Sequence, residues 1–239
     1  MIDVLICSVG WRAPACLSLL ACLRTQTLRP RRIVIRADSW TDADADAARQ
    51  LGADIVNVEP GCGQQVRWFD VEAWPDPEAI VLVLDDDMQP LSTALEGYAS
   101  VIGDDKKKQC APAGISTGPR DTIQLAWGNA LALYPAALAG LGMSDLSFQL
   151  QQGNSDEVVV GAWLRRSDCV IHRHPYGNVW PQHPLAADRR SFSSRSANLQ
   201  RKLAQIDVLA AADFRPDAAK LWTSVRATVR HQLGLVDRS

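Results

Sequence analysis

The sequence predicts an α/β protein with a mostly parallel central sheet, helices on both faces of that sheet, and further helices towards the C-terminus. Two observations support this fold class. Short apolar segments alternate with helical segments between Ile2 and Ile102, and this alternation is typical of βαβ units. Connections between parallel strands are right-handed, which distributes the helices over both faces of the sheet.

Four strands are predicted where apolar and β-branched residues cluster. The first, Ile2–Val9 (IDVLICSV), is a short apolar run that favours a buried strand. The fourth is apolar throughout, so we expect it at the centre of the sheet. The second, third and fourth strands are predicted at residues 32–37, 53–58 and 79–84.

The segments between these strands carry helix signals. Pro14 opens the first helix, since proline is favoured in the first turn, and Leu17, Leu20 and Leu23 lie on one face of it. Gly52 is a stop signal at the end of the second helix. The four helices of this half are predicted at residues 14–26, 42–51, 64–74 and 91–102.

The pattern changes beyond Lys108, where glycine and proline interrupt the apolar stretches. The elements predicted there are β-like stretches at 110–117 and 122–133, a helix at 156–166, a strand at 170–174, and terminal helices at 193–212 and 217–233.

We expect one α/β domain over residues 1–188 and a helical segment over residues 189–239 that packs on the same domain. The terminal segment carries ten basic and four acidic residues, whereas the rest of the chain is acidic overall. A basic segment of this kind can contact an anionic surface.

Composition excludes several classes of protein. Hydrophobic residues make up 47% of the 239 residues and charged residues 22%, so the chain can form a core and is not disordered. The net charge of −2 argues against a nucleic-acid partner. No apolar run approaches the roughly 20 residues that span a bilayer, and the N-terminus lacks a signal-peptide pattern, so we expect a cytoplasmic protein. The six cysteines show no Cys-x-x-Cys spacing, which argues against structural zinc.

Three adjacent carboxylates, Asp85-Asp86-Asp87, directly follow the central apolar strand. Such a cluster is costly unless a cation lies among its members. Asp85 and Asp87 are therefore candidate ligands of a hard divalent ion, which prefers oxygen ligands and often bridges to phosphates. The alternative is a solvated acidic turn. In sheets of this kind, ligands bind beyond the carboxyl ends of the strands. The candidate ligand-binding positions are therefore residues 8–12, 38–40, 61–67 and 85–87.

A second acidic pair, Asp156-Glu157, begins a predicted helix. Acidic residues favour a helix N-terminus, so the pair is explained by helix capping or, alternatively, by a general base. The segment Trp127-Gly128-Asn129 is by itself no more than a turn signal. Three histidines follow downstream, and each could complete a metal site or simply form a hydrogen bond: His172, His174 and His183.

The order of these features resembles that of a GT-A glycosyltransferase, above all the large inverting family 2. The opening has the family's layout: a first strand, a nucleotide-contacting loop, a helix that ends in LRTQT, and a second strand that ends at the acidic turn ADSWTD. The segment LVLDDDMQP is similar to the metal-binding Asp-x-Asp motif. The segment WGNALALYPAAL is similar to the acceptor-side Gly-Asn segment, and SDEVVVGAWLRRSDCVIHRHP to the Glu-Asp helix. The resemblance covers roughly residues 3–175.

The resemblance implies transfer of a sugar from a nucleotide-diphosphate donor, foremost a UDP-sugar, to an acceptor hydroxyl. It implies a divalent cation, Mn²⁺ or Mg²⁺, held by Asp85 and Asp87, with His172 or His174 as a further candidate ligand. The candidate donor-binding residues are Ser8, Gly10, Arg12, Asp38, Arg67, Asp85 and Asp86.

The resemblance also implies a catalytic base on the Glu-Asp helix. The family's order is inverted here, so both Asp156 and Glu157 are candidates for the base. The acceptor-side candidates are Trp127, Gly128 and Asn129. The acceptor itself is a saccharide, a lipid-linked molecule or a protein, as in bacterial polysaccharide or glycoconjugate synthesis, and a lipid-linked acceptor would suit a peripheral contact of residues 189–239 with the inner membrane.

Two other functions stay open. A sugar-phosphate nucleotidyltransferase shares a similar sheet and a metal carboxylate, but it would normally have a Gly-rich basic loop where this chain has SVGWRAP. A catalytically degenerate glycosyltransferase-like module would bind a partner instead, although the presence of both acidic clusters speaks against it.

Overall fold

The computed structural model describes residues 1–61, 64–68, 70, 71, 73–117, 119, 121–126, 130–141, 156–175 and 196–232. Within these ranges, the side chains of residues 64, 65, 156, 157, 196–199, 201 and 232 are outside the description. The described residues form an eight-stranded mixed sheet with helices on both faces.

The first half of the chain forms a parallel sheet, as the sequence predicts. Its strands are β1 (Ile2–Val9), β2 (Arg32–Asp38), β3 (Asp54–Val58) and β4 (Ile80–Asp85). They lie in the order β3-β2-β1-β4, and each adjacent pair is parallel. The carboxyl ends of β1, β2 and β4 therefore meet at one edge of the sheet. The prediction that β4 is central is confirmed, because β1 and β9 flank it.

The second half adds short strands that make the sheet mixed. They are β5 (Lys108–Ala111), β6 (Gly114–Ile115), β7 (Thr122–Ile123), β8 (Leu125–Ala126), β9 (Ala130–Leu133) and β10 (Val170–Arg173). The large sheet continues from β4 in the order β9-β5-β10-β7, with β9 antiparallel to both neighbours and β10 parallel to β5. The pair β6-β8 is separate. The break in rhythm beyond Lys108 thus marks the change from parallel to mixed pairing.

The helices agree with the sequence pattern except in one place. They are α1 (Ala13–Arg24), α2 (Asp42–Gln50), α3 (Ala94–Ile102), α4 (Asp156–Arg166), α5 (Ser196–Ala211) and α6 (Ala218–Gln232). Short 3-10 helices occupy Gly10–Arg12, Gln64–Trp68 and Pro135–Leu138.

The helix predicted at residues 64–74 is wrong, because the described residues of this segment form a 3-10 helix at Gln64–Trp68 and no helix beyond it. Asp70 has a φ of 57°, in the left-handed region that a right-handed helix excludes. Pro75 and Pro77 follow closely, and the residue before a proline is driven away from helical geometry. The apolar positions Val71 and Trp74 are buried nonetheless, since this segment covers the sheet as a loop.

The sheet separates two apolar cores. On β1, Val4 and Ile6 face the core formed with α1 and α3, whereas Leu5 faces the core formed with α4, α5 and α6. Alternation along a strand places successive side chains on opposite faces, so one strand contributes to both cores. The central strand β4 is therefore apolar from Ile80 to Leu84.

The C-terminal helices belong to the second of these cores. Ile206 and Leu209 of α5, and Trp222 and Val225 of α6, are buried in the same cluster as the sheet residues. Ile206 and Leu209 of α5 thus face the protein, whereas Val208 on the same helix is exposed. None of the helices in the described part of the chain combines the length and the apolar character that crossing a bilayer requires.

Arg165 near the end of α4 ties down the turn between α5 and α6. Its Nε donates to Asp213 at 2.8 Å, and its guanidinium also pairs with Asp217. The hydrogen bond from Arg165 lowers the pKa of Asp217. The Nε1 of Trp222 donates to the same Asp213 at 2.9 Å, so this carboxylate joins three elements.

We predict that Arg165→Ala lowers the free energy of unfolding by about 3 kcal/mol, because it leaves the buried carboxylate of Asp213 without its counter-ion. The matched control is Arg226→Ala, whose ion pair with Asp207 is exposed and should contribute less than about 1 kcal/mol. Urea denaturation at pH 7 measures both values.

The pKa of Asp217 is lowered in the folded state, so the stability that its ion pair contributes is present above the unfolded pKa and is lost as the pH falls through the folded pKa. The difference between wild type and Arg165→Ala should therefore shrink below about pH 4. Equal losses in the two variants would contradict the prediction.

Candidate functional site

The candidate site lies at the edge where the parallel strands end. Val9 of β1 is in register with Asp38 of β2, and Cys7 is in register with Asp85 of β4. The loop after β1, the end of β2 and the acidic triplet after β4 are therefore neighbours in space, as expected for a parallel sheet.

Arg12 bridges two carboxylates of the triplet. It ends the 3-10 helix that connects β1 to α1, and this turn carries its side chain across the end of β4. Its Nη1 lies 2.6 Å from Asp86 Oδ1, and its Nη2 lies 2.5 Å from Asp87 Oδ2. All three side chains are buried, with at most 9% of their surface exposed. A guanidinium suits this position because its planar fork donates to two carboxylates at once.

The two carboxylates that Arg12 holds differ in their surroundings. Burial raises the pKa of Asp86 to about 6, although the positive charge of Arg12 acts in the opposite direction. Asp87 uses Oδ2 for Arg12, and its buried Oδ1 has no hydrogen-bond partner among the described residues. A buried carboxylate oxygen without a partner is costly, so Oδ1 is an open position for a ligand.

A second arginine pairs with the third carboxylate. The 3-10 helix Gln64–Trp68 carries Arg67, whose Nη1 donates to Asp85 Oδ1. The side chain of Arg67 is 4% exposed and that of Asp85 is 21% exposed. Arg36 of β2 donates to the carbonyl of Val66, which ties this turn to the sheet one residue before Arg67. Burial lowers the pKa of Arg36.

Asp38 connects two neighbouring loops through hydrogen bonds. Its carboxylate accepts a hydrogen bond from Ser39 Oγ at 2.7 Å and another from the Gly61 backbone N–H at 2.9 Å. It therefore joins the end of β2 to the loop that follows β3.

Gly10 is required by a close approach to the same region. A Cβ at this position would lie 2.2 Å from the backbone carbonyl oxygen of Ser39. Ser39 itself has a left-handed φ of 57°, which directs that carbonyl towards the loop after β1. A side chain at Gly10 would thus push the two loops apart.

His174 follows β10 and packs against α3. The Nε2 of His174 is 2.9 Å from the Ala94 carbonyl oxygen in α3, and its ring packs 4.4 Å from that of Tyr98. A Cβ at Gly97 would lie 2.6 Å from His174 Nε2, so the ring fits against α3 closely. The Nε2 of His174 thus contacts α3, and the role of His174 as a metal ligand stays a prediction. His172 lies within β10, opposite Cys110 of β5.

Several predicted site residues lie outside the described parts of the structure. These are Trp127, Gly128, Asn129 and His183. Asp156 and Glu157 are the first two residues of α4, as predicted, but their side chains are not described. Ser8 is buried at the end of β1, next to the turn that carries Gly10 and Arg12.

The sequence pattern overlooked Arg36. A charged residue inside the apolar run RIVIRA was the available signal, because an arginine is rarely buried unless it has a specific partner. The pattern singled out Arg12 and Arg67, but it did not predict that each would pair with the acidic triplet.

A divalent cation such as Mg²⁺ or Mn²⁺ requires several oxygen ligands around one point. No group of three or more His, Cys, Asp or Glu side chains in the described ranges is arranged to hold a metal ion. Arginines pair with one oxygen of each of the three aspartates. The open Oδ1 of Asp87 is nevertheless a hard oxygen ligand of the type that Mg²⁺ and Mn²⁺ prefer. The chemistry of Asp87 therefore suits a divalent cation, whereas Asp85 is paired with Arg67.

Comparison with solved structures finds extensive similarity in fold. A mannosyltransferase, PcManGT from Pyrobaculum calidifontis in complex with GDP-Man and Mn²⁺, is 16% identical with a TM-score of 0.68 and matches over 98% of this chain and 72% of its own. TarS from S. aureus (residues 1–349) is 12% identical with a TM-score of 0.64, over 99% of this chain and 72% of its own. GalNAc-T7 with UDP, GalNAc and Mn²⁺ is 12% identical with a TM-score of 0.63, over 98% of this chain and 54% of its own.

No protein-family model matches the chain, and no curated protein matches it in sequence. The structural likeness nevertheless covers nearly the whole chain. The sheet of this chain is mixed and has helices on both faces. The protein therefore has the GT-A fold of glycosyltransferases.

We predict that Gly10→Ala lowers the free energy of unfolding by about 1–3 kcal/mol, because the new methyl group meets a backbone carbonyl that cannot rotate away. Ala21→Ser is the matched control, since it adds one heavy atom at an exposed position of α1 and should change stability by less than about 0.5 kcal/mol. Urea denaturation compares the variants. A Gly10→Ala protein as stable as the wild type would show that the loops after β1 and β2 do not constrain each other.

Proposed function

We propose that the protein transfers a sugar from a nucleotide-diphosphate sugar to an acceptor hydroxyl. The observation that carries this proposal is the acidic triplet at the carboxyl edge of a GT-A fold, in which the buried Oδ1 of Asp87 has no partner among the described residues. Two of the solved structures compared above support it, since PcManGT is in complex with GDP-Man and GalNAc-T7 with UDP, both with Mn²⁺.

The donor in this proposal is a UDP-sugar. Asp38 keeps acceptor capacity beyond Ser39 and Gly61, because an ionised carboxylate has about four acceptor positions. The buried Nε1 of Trp40 has no acceptor among the described residues. An acceptor and a donor at the end of β2 would complement the N–H and carbonyl groups of a uracil ring. Trp11, whose ring lies 5.2 Å from the Arg12 guanidinium, is a candidate to stack on the base.

The diphosphate would lie over the acidic triplet. A divalent cation held by Asp85 and Asp87 would offset the negative charge that develops on the leaving diphosphate. Arg67 lies beside Asp85 and is the candidate side chain for a direct contact with the phosphates. Arg12 keeps Asp87 in place, so that Oδ1 stays available while Oδ2 is bound.

The base in this proposal is one of the first two residues of α4. Asp156 or Glu157 would remove the proton of the acceptor hydroxyl during in-line attack on the anomeric carbon. In-line displacement inverts the configuration, so an α-linked donor would give a β-linked product. The segment Trp127-Gly128-Asn129, which precedes β9, would contribute to the acceptor side. A saccharide, a lipid-linked molecule or a protein is the acceptor class we propose.

The experiment that tests the function is a donor screen with UDP-, GDP- and dTDP-sugars and Mn²⁺, in which released nucleotide is measured. We predict that Asp87→Asn lowers the rate by about 10²–10³, because it replaces an anionic ligand beside the diphosphate. The control is Asp46→Asn, an exposed carboxylate on α2, which should retain wild-type turnover. Full activity of Asp87→Asn in EDTA would contradict the metal role, and absence of turnover with every donor would contradict the function itself.

We predict that Asp156→Asn and Glu157→Gln differ sharply, because only one of these carboxylates can be positioned to take the acceptor's proton. Loss of the base should lower kcat by about 10²–10⁴, whereas calorimetry should show UDP binding largely unchanged. The other variant serves as the matched control at the neighbouring position. Wild-type rates in both variants would remove α4 from the catalytic assignment.

A further inference from the structure

The acidic triplet carries its own counter-ions. Arg12 bridges Asp86 and Asp87, and Arg67 pairs with Asp85, so three negative charges face two positive charges. The arginine side chains are 9% and 4% exposed, respectively, so little water screens them. A divalent ion that enters this site alone must therefore approach carboxylates that guanidinium groups already neutralise.

Arg12 and Arg67 differ in how they affect the two candidate metal ligands, Asp87 and Asp85. Arg12 leaves Asp87 Oδ1 without a partner among the described residues, so it does not block that ligand. Arg67 holds Asp85, which is the more exposed of the two candidate ligands at 21% against 8% for Asp87. Since the Arg67 side chain is only 4% exposed, its guanidinium lies on the protein side of a carboxylate that solvent can reach. Arg67 and the cation would thus compete for the carboxylate of Asp85.

The turn that carries Arg67 is fixed independently of this pair. The guanidinium of Arg36 donates to the Val66 carbonyl and holds the main chain of the turn against β2. The side chain of Arg67 can therefore exchange one anion for another while its backbone remains anchored. A diphosphate is a suitable second anion, because guanidinium groups pair with phosphate as well as with carboxylate.

We propose that Arg67 is an exchangeable counter-ion: it holds Asp85 until a nucleoside diphosphate takes over its guanidinium and releases Asp85 to the divalent cation. This inference rests on the proposed function, because the nucleotide supplies the exchanging anion. Ion and nucleotide then bind cooperatively, and linkage requires each to raise the affinity of the other by the same factor. Arg67 thereby keeps a cation from binding firmly to the protein before the donor arrives.

Mn²⁺ binding in the absence of any nucleotide tests this role. Arg67→Gln removes the competing charge but keeps a polar side chain, so Mn²⁺ should bind about tenfold more tightly to this variant than to the wild type. Calorimetry, or the EPR signal of free Mn²⁺, measures the dissociation constants. The control is Arg32→Gln, which breaks an exposed pair with Asp54 and should leave Mn²⁺ affinity unchanged. Equal or weaker Mn²⁺ binding by a folded Arg67→Gln variant overturns the proposal.

Asp85→Asn provides an independent measurement should Arg67→Gln fail to fold. Because Arg67 covers Asp85 before nucleotide binds, Asp85→Asn should change the affinity for Mn²⁺ alone by less than about twofold, yet lower it about tenfold in the presence of UDP. Equal weakening with and without UDP overturns the proposal. A wild type that binds none of UDP, GDP and dTDP contradicts the proposed function, whereas the comparison of Mn²⁺ binding between wild type and Arg67→Gln still decides the role of Arg67.

Discussion

The site depends on the electrostatic compensation of three consecutive carboxylates that the central strand delivers to the edge of the sheet. Burying such a cluster is unfavourable unless opposite charges accompany it. The chain meets this requirement with two arginines from different elements, Arg12 after β1 and Arg67 from the turn before β4. The 3-10 helix after β1, the tether from Arg36 to Val66, and the narrow contact at Gly10 all serve to place these two groups.

The fold could be predicted from the sequence where periodicity and length were strong. The strands of the first half were predicted to within about two residues, since short runs rich in apolar and β-branched residues between turn signals favour strands. The segment after Gln64 could not be predicted in the same way. Its apolar residues are spaced as in a helix, but Asp70 adopts a left-handed conformation and two prolines follow, so the segment packs as a loop.

The sequence predicts where the candidate site lies but not which of its side chains pair with one another. The positions of Asp38, Asp85, Asp86 and Asp87 follow from the strand ends, because parallel strands place their carboxyl ends together. The pairing of Arg12 with Asp87 joins residues 75 positions apart, and no local pattern encodes it. The fit of His174 under Gly97 is likewise a tertiary contact, whereas the sequence suggested a ligand. The roles of these residues in binding and catalysis stay predictions.

The contact between Arg165 and the C-terminal helices sets a limit on how this chain can be divided. The helix that begins with Asp156 and Glu157 ends, about 14 Å further along, at the arginine whose partners lie between α5 and α6. Removing the last two helices would leave a buried guanidinium without acceptors on the very helix proposed to carry the base. The terminal helices therefore cannot be trimmed or exchanged as an independent module, and any chimaera that joins this α/β body to another C-terminus must bring its own carboxylates for Arg165.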